Sequence, residues 1–168
     1  MLRLQTRAPR RLRRERDRLR QFRDPVAHVA VLLPHVHLHF RLRVLALHLA
    51  RDLAQGELAT RASDFESRRE FPREVFQTLG RSGLLGLAYP EEFGGGEQPY
   101  EVYLQVLEEL STAWLAVGLG VSVHTLSCAG LYGFGSDEQK MRWLPDMLGG
   151  ELLGAYMLSE PQSGSDAA

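Results

Sequence analysis

The chain holds a single cysteine, Cys128, among its 168 residues. One thiol excludes an internal disulfide framework and a cysteine-built zinc cluster. Aromatic side chains make up only 8% of the residues. In the arginine-dominated opening segment, "MLRLQTRAPRRLRRERDRLRQFRD", Phe22 stands alone. That scarcity argues against single-strand nucleic-acid recognition, which stacks bases on aromatic rings. The same segment has no serine and carries Glu15, Asp17 and Asp24, unlike a mitochondrial transit peptide. It also lacks an apolar region followed by a small-residue cleavage site, so it reads as no secretory signal, and a cytoplasmic location is expected. His35, His37 and His39 fall at spacing two but have no carboxylate or cysteine partner in their pattern, so no metal site is expected there. No Lys-Ser/Thr follows Gly94–Gly95–Gly96, which excludes a phosphate loop and leaves a hairpin-like turn.

What is present is ordinary for a globular protein: 44% hydrophobic and 24% charged residues, in a chain long enough for one sizeable core. The net charge of −1 conceals a reversal. Residues 1–52 carry 13 of the 20 basic side chains against 4 acidic ones, a net of +9, and residues 53–168 carry 7 against 17, a net of −10. Five of the six histidines also precede residue 50. Burying so many like charges without partners is costly. Residues 1–46 are therefore expected to form a poorly ordered basic extension, and residues 47–151 the helical body.

Within that body the patterning is helical. Leu49, Leu53, Leu58 and Ala62 mark the apolar positions of a first, polar-faced helix. In "EFPREVFQTLGRSGLLGL", Pro72 suits a first turn, Val75, Phe76 and Leu79 form a face, and Gly80 or Gly83 supplies the stop. Tyr103, Val106, Leu107 and Leu110 recur at i, i+3, i+4 and i+7, with Glu101, Glu108 and Glu109 on the charged face. The stretch from Trp114 to Leu126 loses its polar face and should be central, and for the charge-free run from Leu110 to Ser136 around it a helix buried on all sides explains the composition better than a membrane span. Ser136 and Gln139 form a capping box ahead of a helix that Pro145 should kink or break and that Gly149–Gly150 ends. Leu152 to Leu158 is short, apolar and uncharged, which predicts a strand or a buried extended segment. The turn-rich run from Ser159 to Asp166 offers hydroxyls and backbone amides suited to holding an anion. The fold class is all-α up to the last dozen residues.

The pieces "REFPREVFQTLGRSGLLGL", "YPEEFGGG", "YLQVLEEL" and "FGSDEQKMRWLPDMLGGELLGAYMLSEPQSGSD", in this order and spacing, resemble the N-terminal helical domain of the acyl-CoA dehydrogenase family. The resemblance covers about 120 residues and nothing before residue 47. It implies FAD as cofactor, an acyl-CoA thioester as substrate, an electron-transfer flavoprotein as electron acceptor, and a homo-oligomer for the full-length enzyme. It implies a fold of three parts: a helical domain, a β-domain and a C-terminal four-helix bundle. Residues 152–168 would then begin the segment that lies along flavin and substrate.

Carried over by motif position, the resemblance assigns Tyr156, Leu158 and Ser159 to flavin. It places Gly164 and Ser165 in the turn beside flavin and substrate, with Ser165 also facing the CoA moiety. Three positions depart from the family pattern: Ser159 where threonine is usual, Gln162–Ser163 for the common Gly–Ala, and Trp114 where a small or acidic residue is commoner. The carboxylate base of the family reaction belongs to its C-terminal domain, so no catalytic residue is assigned here and the chain alone is expected to be inactive. Glu160 reads as a turn or salt-bridge residue, and His124 as a satisfied core histidine rather than a catalytic one. A second reading is a non-catalytic helical module that binds nucleic acid through residues 3–23.

Overall fold

The computed structural model describes residues 41–166, of which residues 42–166 belong to one compact unit. The backbone is helical over residues 41–53, here α1. It passes through a π-helical turn, Ala54–Leu58, and continues as α2, Ala59–Arg68. Ala46, Ala50, Ala54 and Leu58 lie four apart and are all buried. Three alanines in a row on one face let a neighbouring helix come close. Leu49, Leu53 and Ala62, expected on that face, lie partly buried at its margin. Arg69 ends α2 in the left-handed region, φ 55°, a conformation that favours glycine.

Helix α3 spans Arg73–Arg81, with Pro72 as its N-cap and Val75, Phe76 and Leu79 buried as expected. Of the two candidate stops, Gly83 takes the left-handed turn after the helix, φ 75°. Gly80 has a different task inside it. Helix α4, Tyr100–Ala113, buries Val102, Tyr103, Val106 and Leu110. The chain between α3 and α4 folds back on itself, with the amides of Gly96, Glu97 and Gln98 donating to the carbonyls of Gly86, Tyr89 and Leu87. The expected hairpin-like turn at the glycine triplet is present.

Helix α5, Leu115–Phe134, follows after a single extended residue, Trp114, φ −154° and ψ 96°. No proline or glycine marks this corner in the sequence. The buried indole fixes it instead, donating from Nε1 to Glu66 Oε1 at 2.8 Å and packing 5.8 Å from the Phe65 ring centroid. The expectation that α5 is buried on all sides is not met. Val117, Val121, His124 and Cys128 face inward, while Leu115, Leu119, Leu126 and Phe134 are exposed. Period and composition reveal an apolar helix but not which of its faces has a partner. Among the described helices α5 is the one long and apolar enough to cross a bilayer, with one strip of it buried in the helical body.

Helix α6, Asp137–Leu148, opens with the expected capping box. Ser136 Oγ accepts from the Gln139 amide at 3.2 Å, and Gln139 Oε1 accepts from the Ser136 amide at 2.8 Å. Of the kink or break expected at Pro145, the break does not occur; the helix runs on to Leu148. Proline removes one amide donor, and here only the final turn lies beyond it. Two buried clusters result. The larger joins α1, α3, α4 and the first half of α5. The smaller packs Cys128, Leu144 and Leu148 with Tyr89 and Phe93.

No strand occurs among the described residues. Leu152–Leu158 is extended but unpaired, and from Ala155 onward it is exposed rather than buried. Its charge-free composition suits a sheet, but no neighbouring strand is present to accept its hydrogen bonds.

A close contact between two backbones lies where α6 ends. A Cβ added at Gly80 would overlap the carbonyl of Gly149, and Gly150, φ 83°, stands where a Cβ would lie 2.7 Å from the Phe76 oxygen. Gly80→Ala is expected to cost about 3 kcal/mol in urea denaturation, the scale of forced overpacking. Gly56, exposed with nothing within 4 Å of its added Cβ, is the control. Gly56→Ala is expected to stabilise by about 0.5–1 kcal/mol, the difference between glycine and alanine within a helix.

Candidate functional site

Two adjoining clefts open beside the exposed side of α5. One, of about 390 Å³, is lined by Phe65, Glu66, Trp114 and Val117. The other, of about 370 Å³, reaches Leu119, Val123, His124, Leu153 and Gly154. Phe71, Phe76, Ala116 and Gly120 line both. The small side chains at 116 and 120 hollow the helix face, while Phe71 and Phe76 stack opposite with ring centroids 5.2 Å apart. Small residues four apart, Ala116 and Gly120, were the sequence signal for this concavity. The reading of charged and hydroxylic residues passed over them.

The exit segment leaves the helical body at the edge of the second cleft. Arg73 Nη2 donates to the Glu151 carbonyl at 2.8 Å. His124, 1% exposed, holds the next residues: its Nδ1 accepts from the Gly154 amide at 3.0 Å, and its Nε2 lies 3.0 Å from the Met147 carbonyl oxygen. An amide can donate only to an unprotonated nitrogen, so the proton sits on Nε2 and is donated to Met147. His124 is the satisfied core histidine expected of it, with one neutral tautomer serving both bonds. Burial lowers its pKa from 6.5, against the opposing pull of the Met147 carbonyl. Cys128 Sγ lies 3.5 Å from Nε2, and burial pushes that thiol up to about 12, which leaves it no nucleophile.

Beyond Gly154 the assigned residues stand in the open. Tyr156 and Leu158 are 54% and 45% exposed, and Ser159 and Ser165 are exposed as well. Among the described residues, the amides of Tyr156, Leu158 and Ser159 donate to no backbone carbonyl. The turn itself is closed by Glu160 and Ser163, which exchange amide–carbonyl bonds of 2.7 and 3.2 Å. That makes Glu160 a turn residue. The closure brings Gly164 beneath Ser159, whose Oγ lies 4.0 Å from where a Gly164 Cβ would stand. Ser165 is not drawn to the others by any hydrogen bond among the described residues. The result, among the described residues, is a short run of amides and hydroxyls without backbone partners that follows the cleft edge at Gly154. Such an array can hold a polar aromatic edge or phosphate oxygens.

Other candidates separate from this site. Glu109 pairs with Arg51 across α4 and α1, with a second contact of 3.2 Å from Nε, and the pair lowers the Glu109 pKa. Glu108 is exposed. The basic segment 3–23 and His35, His37 and His39 lie outside the described residues.

The family model for the acyl-CoA dehydrogenase N-terminal domain matches residues 45–151. An acyl-CoA dehydrogenase of Bacillus subtilis is 38% identical over 126 residues, covering 74% of this chain and 33% of the relative. Among solved structures, butyryl-CoA dehydrogenase from Megasphaera elsdenii superposes with a TM-score of 0.69 at 29% identity, covering 74% of this chain and 34% of that one. An acyl-CoA dehydrogenase from Bacillus anthracis, complexed with FAD, superposes at 0.70 with 30% identity, covering 76% and 22%. The chain belongs to the acyl-CoA dehydrogenase family and has the fold of its N-terminal helical domain. It spans about a third of the length of the curated relatives it matches.

A depressed histidine pKa ties stability to pH. The folded protein binds the His124 proton less readily than the unfolded chain, so its stabilising effect is complete above pH 6.5 and is lost as pH falls toward the lowered folded value. The wild-type chain is expected to lose up to about 1.4 kcal/mol per pH unit in that window through this group. His124→Gln, which cannot titrate, is expected to show a flatter profile between pH 6.5 and 5. Parallel urea-denaturation series for the two proteins check it, and coincident slopes would refute it.

Proposed function

We propose that this chain supplies the helical N-terminal part of a FAD-dependent acyl-CoA dehydrogenase, an enzyme that introduces an α,β double bond into an acyl-CoA thioester. The observation that carries the reading is the exit segment: it leaves the edge of an apolar cleft at Gly154, and the amides of Tyr156, Leu158 and Ser159 donate to no backbone carbonyl among the described residues. That donor set fits a flavin. Tyr156, Leu158 and Ser159 would hold one edge of it, with Gly164 and Ser165 shaping the adjoining turn and the Ser165 hydroxyl donating to the CoA moiety. Flavin, when bound, accepts the β-hydrogen as hydride. The α-proton passes to a carboxylate, which the family resemblance assigns to a C-terminal domain and to no residue of this chain. The residues here bind and orient. An electron-transfer flavoprotein as acceptor and a homo-oligomeric holoenzyme belong to the same proposal.

The isolated chain is expected to retain no stoichiometric flavin through gel filtration and to oxidise no acyl-CoA. A chimaera tests the positive side: residues 47–168 replace the corresponding N-terminal third of the Bacillus subtilis relative. It is expected to purify with FAD and to be bleached by acyl-CoA. In that protein Ser165→Ala should weaken acyl-CoA binding by roughly 1.5–3 kcal/mol, the scale of a hydrogen bond to a charged group. Ser159→Ala should act on flavin content instead. A folded chimaera without flavin, or serine variants that change neither quantity, would overturn the assignment.

A further inference from the structure

Gly154 is the last point at which the exit segment is held by the helical body. The Leu152 amide donates to the Asp146 carbonyl at 3.1 Å, and Arg73 holds the carbonyl of Glu151. At Gly154 two independent restraints meet. Its amide donates to His124 Nδ1 at 3.0 Å. Its α-carbon lies so close to α5 that an added Cβ would be 2.5 Å from Ser127 Cβ and 3.0 Å from Met147 Cε. After it, Ala155–Ser159 are exposed, and none of their amides donates to a backbone carbonyl among the described residues.

We propose that His124 is a positioning residue: its ring, rooted in α5, ties the end of α6 to Gly154 and so sets the point and direction in which Tyr156–Ser159 leave the helical body. The inference rests on the flavin reading of that segment only for its consequence, since the geometry itself needs no ligand. One imidazole meets two demands of opposite sign. Its Nε2–H donates to the Met147 carbonyl, and its bare Nδ1 accepts the Gly154 amide. The planar ring holds its donor and its acceptor in fixed directions, one toward each backbone partner. A mere space-filler at this site would need neither.

Two substitutions divide the demands. In His124→Asn the side-chain oxygen stands near the position of Nδ1 and can still accept from Gly154. In His124→Gln the side-chain amide reaches the position of Nε2 and can still donate to Met147. The full 168-residue chain is used, with amide hydrogen exchange followed residue by residue. Exchange at Gly154 is expected to quicken about tenfold in His124→Gln relative to His124→Asn, the loss of roughly one net hydrogen bond. Amides within α4 and α5 should shift equally in the two variants. If Gly154 instead follows global stability in both, His124 is a core filler and the proposal falls.

The wild-type ring gives a test that needs no substitution to fold. Its ¹⁵N resonances should report the Nε2–H tautomer at neutral pH, and a proton on Nδ1 would overturn the proposal. In the chimaera, His124→Gln should lower flavin content and His124→Asn should largely keep it. If exchange separates the variants but flavin content does not, the positioning role stands and the flavin reading is the one that fails.

Discussion

Backbone meets backbone where α3 crosses the turn that ends α6, and the course of the exit segment depends on that contact. Gly80 has no side chain because the Gly149 carbonyl occupies the space, and Gly150 turns through a left-handed conformation under the Phe76 oxygen. Such an approach cannot be improved by repacking side chains, since no side chain is there to move. It fixes the end of α6 relative to α3, which brings Arg73 within reach of Glu151 and Met147 within reach of His124. The segment that carries the candidate site is therefore aimed by the helical body, although its own residues are exposed.

The same scaffold explains why α5 is two-sided. Its inward strip is shared between two hydrophobic clusters, and its outward strip, with the hollow at Ala116 and Gly120, forms a wall of the clefts. A polar residue in such a helix is costly unless its hydrogen bonds are met. His124 meets that condition with backbone partners from α6 and from the exit segment. One buried group thus serves both stability and placement.

Much of this was legible in the sequence because it depends on local chemistry. The capping box at Ser136 and Gln139, the inward faces at Val75–Leu79 and Tyr103–Leu110, and the glycine turn after α6 all follow from spacing of three and four or from residues that stop a helix. What was not legible depends on neighbours remote in sequence. The corner at Trp114 is made by Glu66, 48 residues away. Helix α6 runs through Pro145, where the lost donor falls near a helix end. Which face of α5 is covered, and whether Leu152–Leu158 meets a strand among the described residues, depend on neighbours that hydrophobic periodicity does not encode. The candidate residues of the exit segment were named from their motif, whereas the cleft at its root is lined by small residues that carry no chemistry of their own.

The two tryptophans sit in contrasting surroundings. Trp114 is 5% exposed, hydrogen-bonded to a carboxylate, and lines the larger cleft; Trp143 is 37% exposed on α6, with Arg142 5.4 Å from its ring centroid. The indole at the helix corner therefore gives the protein an optical label of its own, placed where the cleft opens. Light absorbed there is emitted from a buried, anchored ring, while the second indole reports the solvent. A molecule entering the cleft would alter the first signal and leave the second as an internal reference.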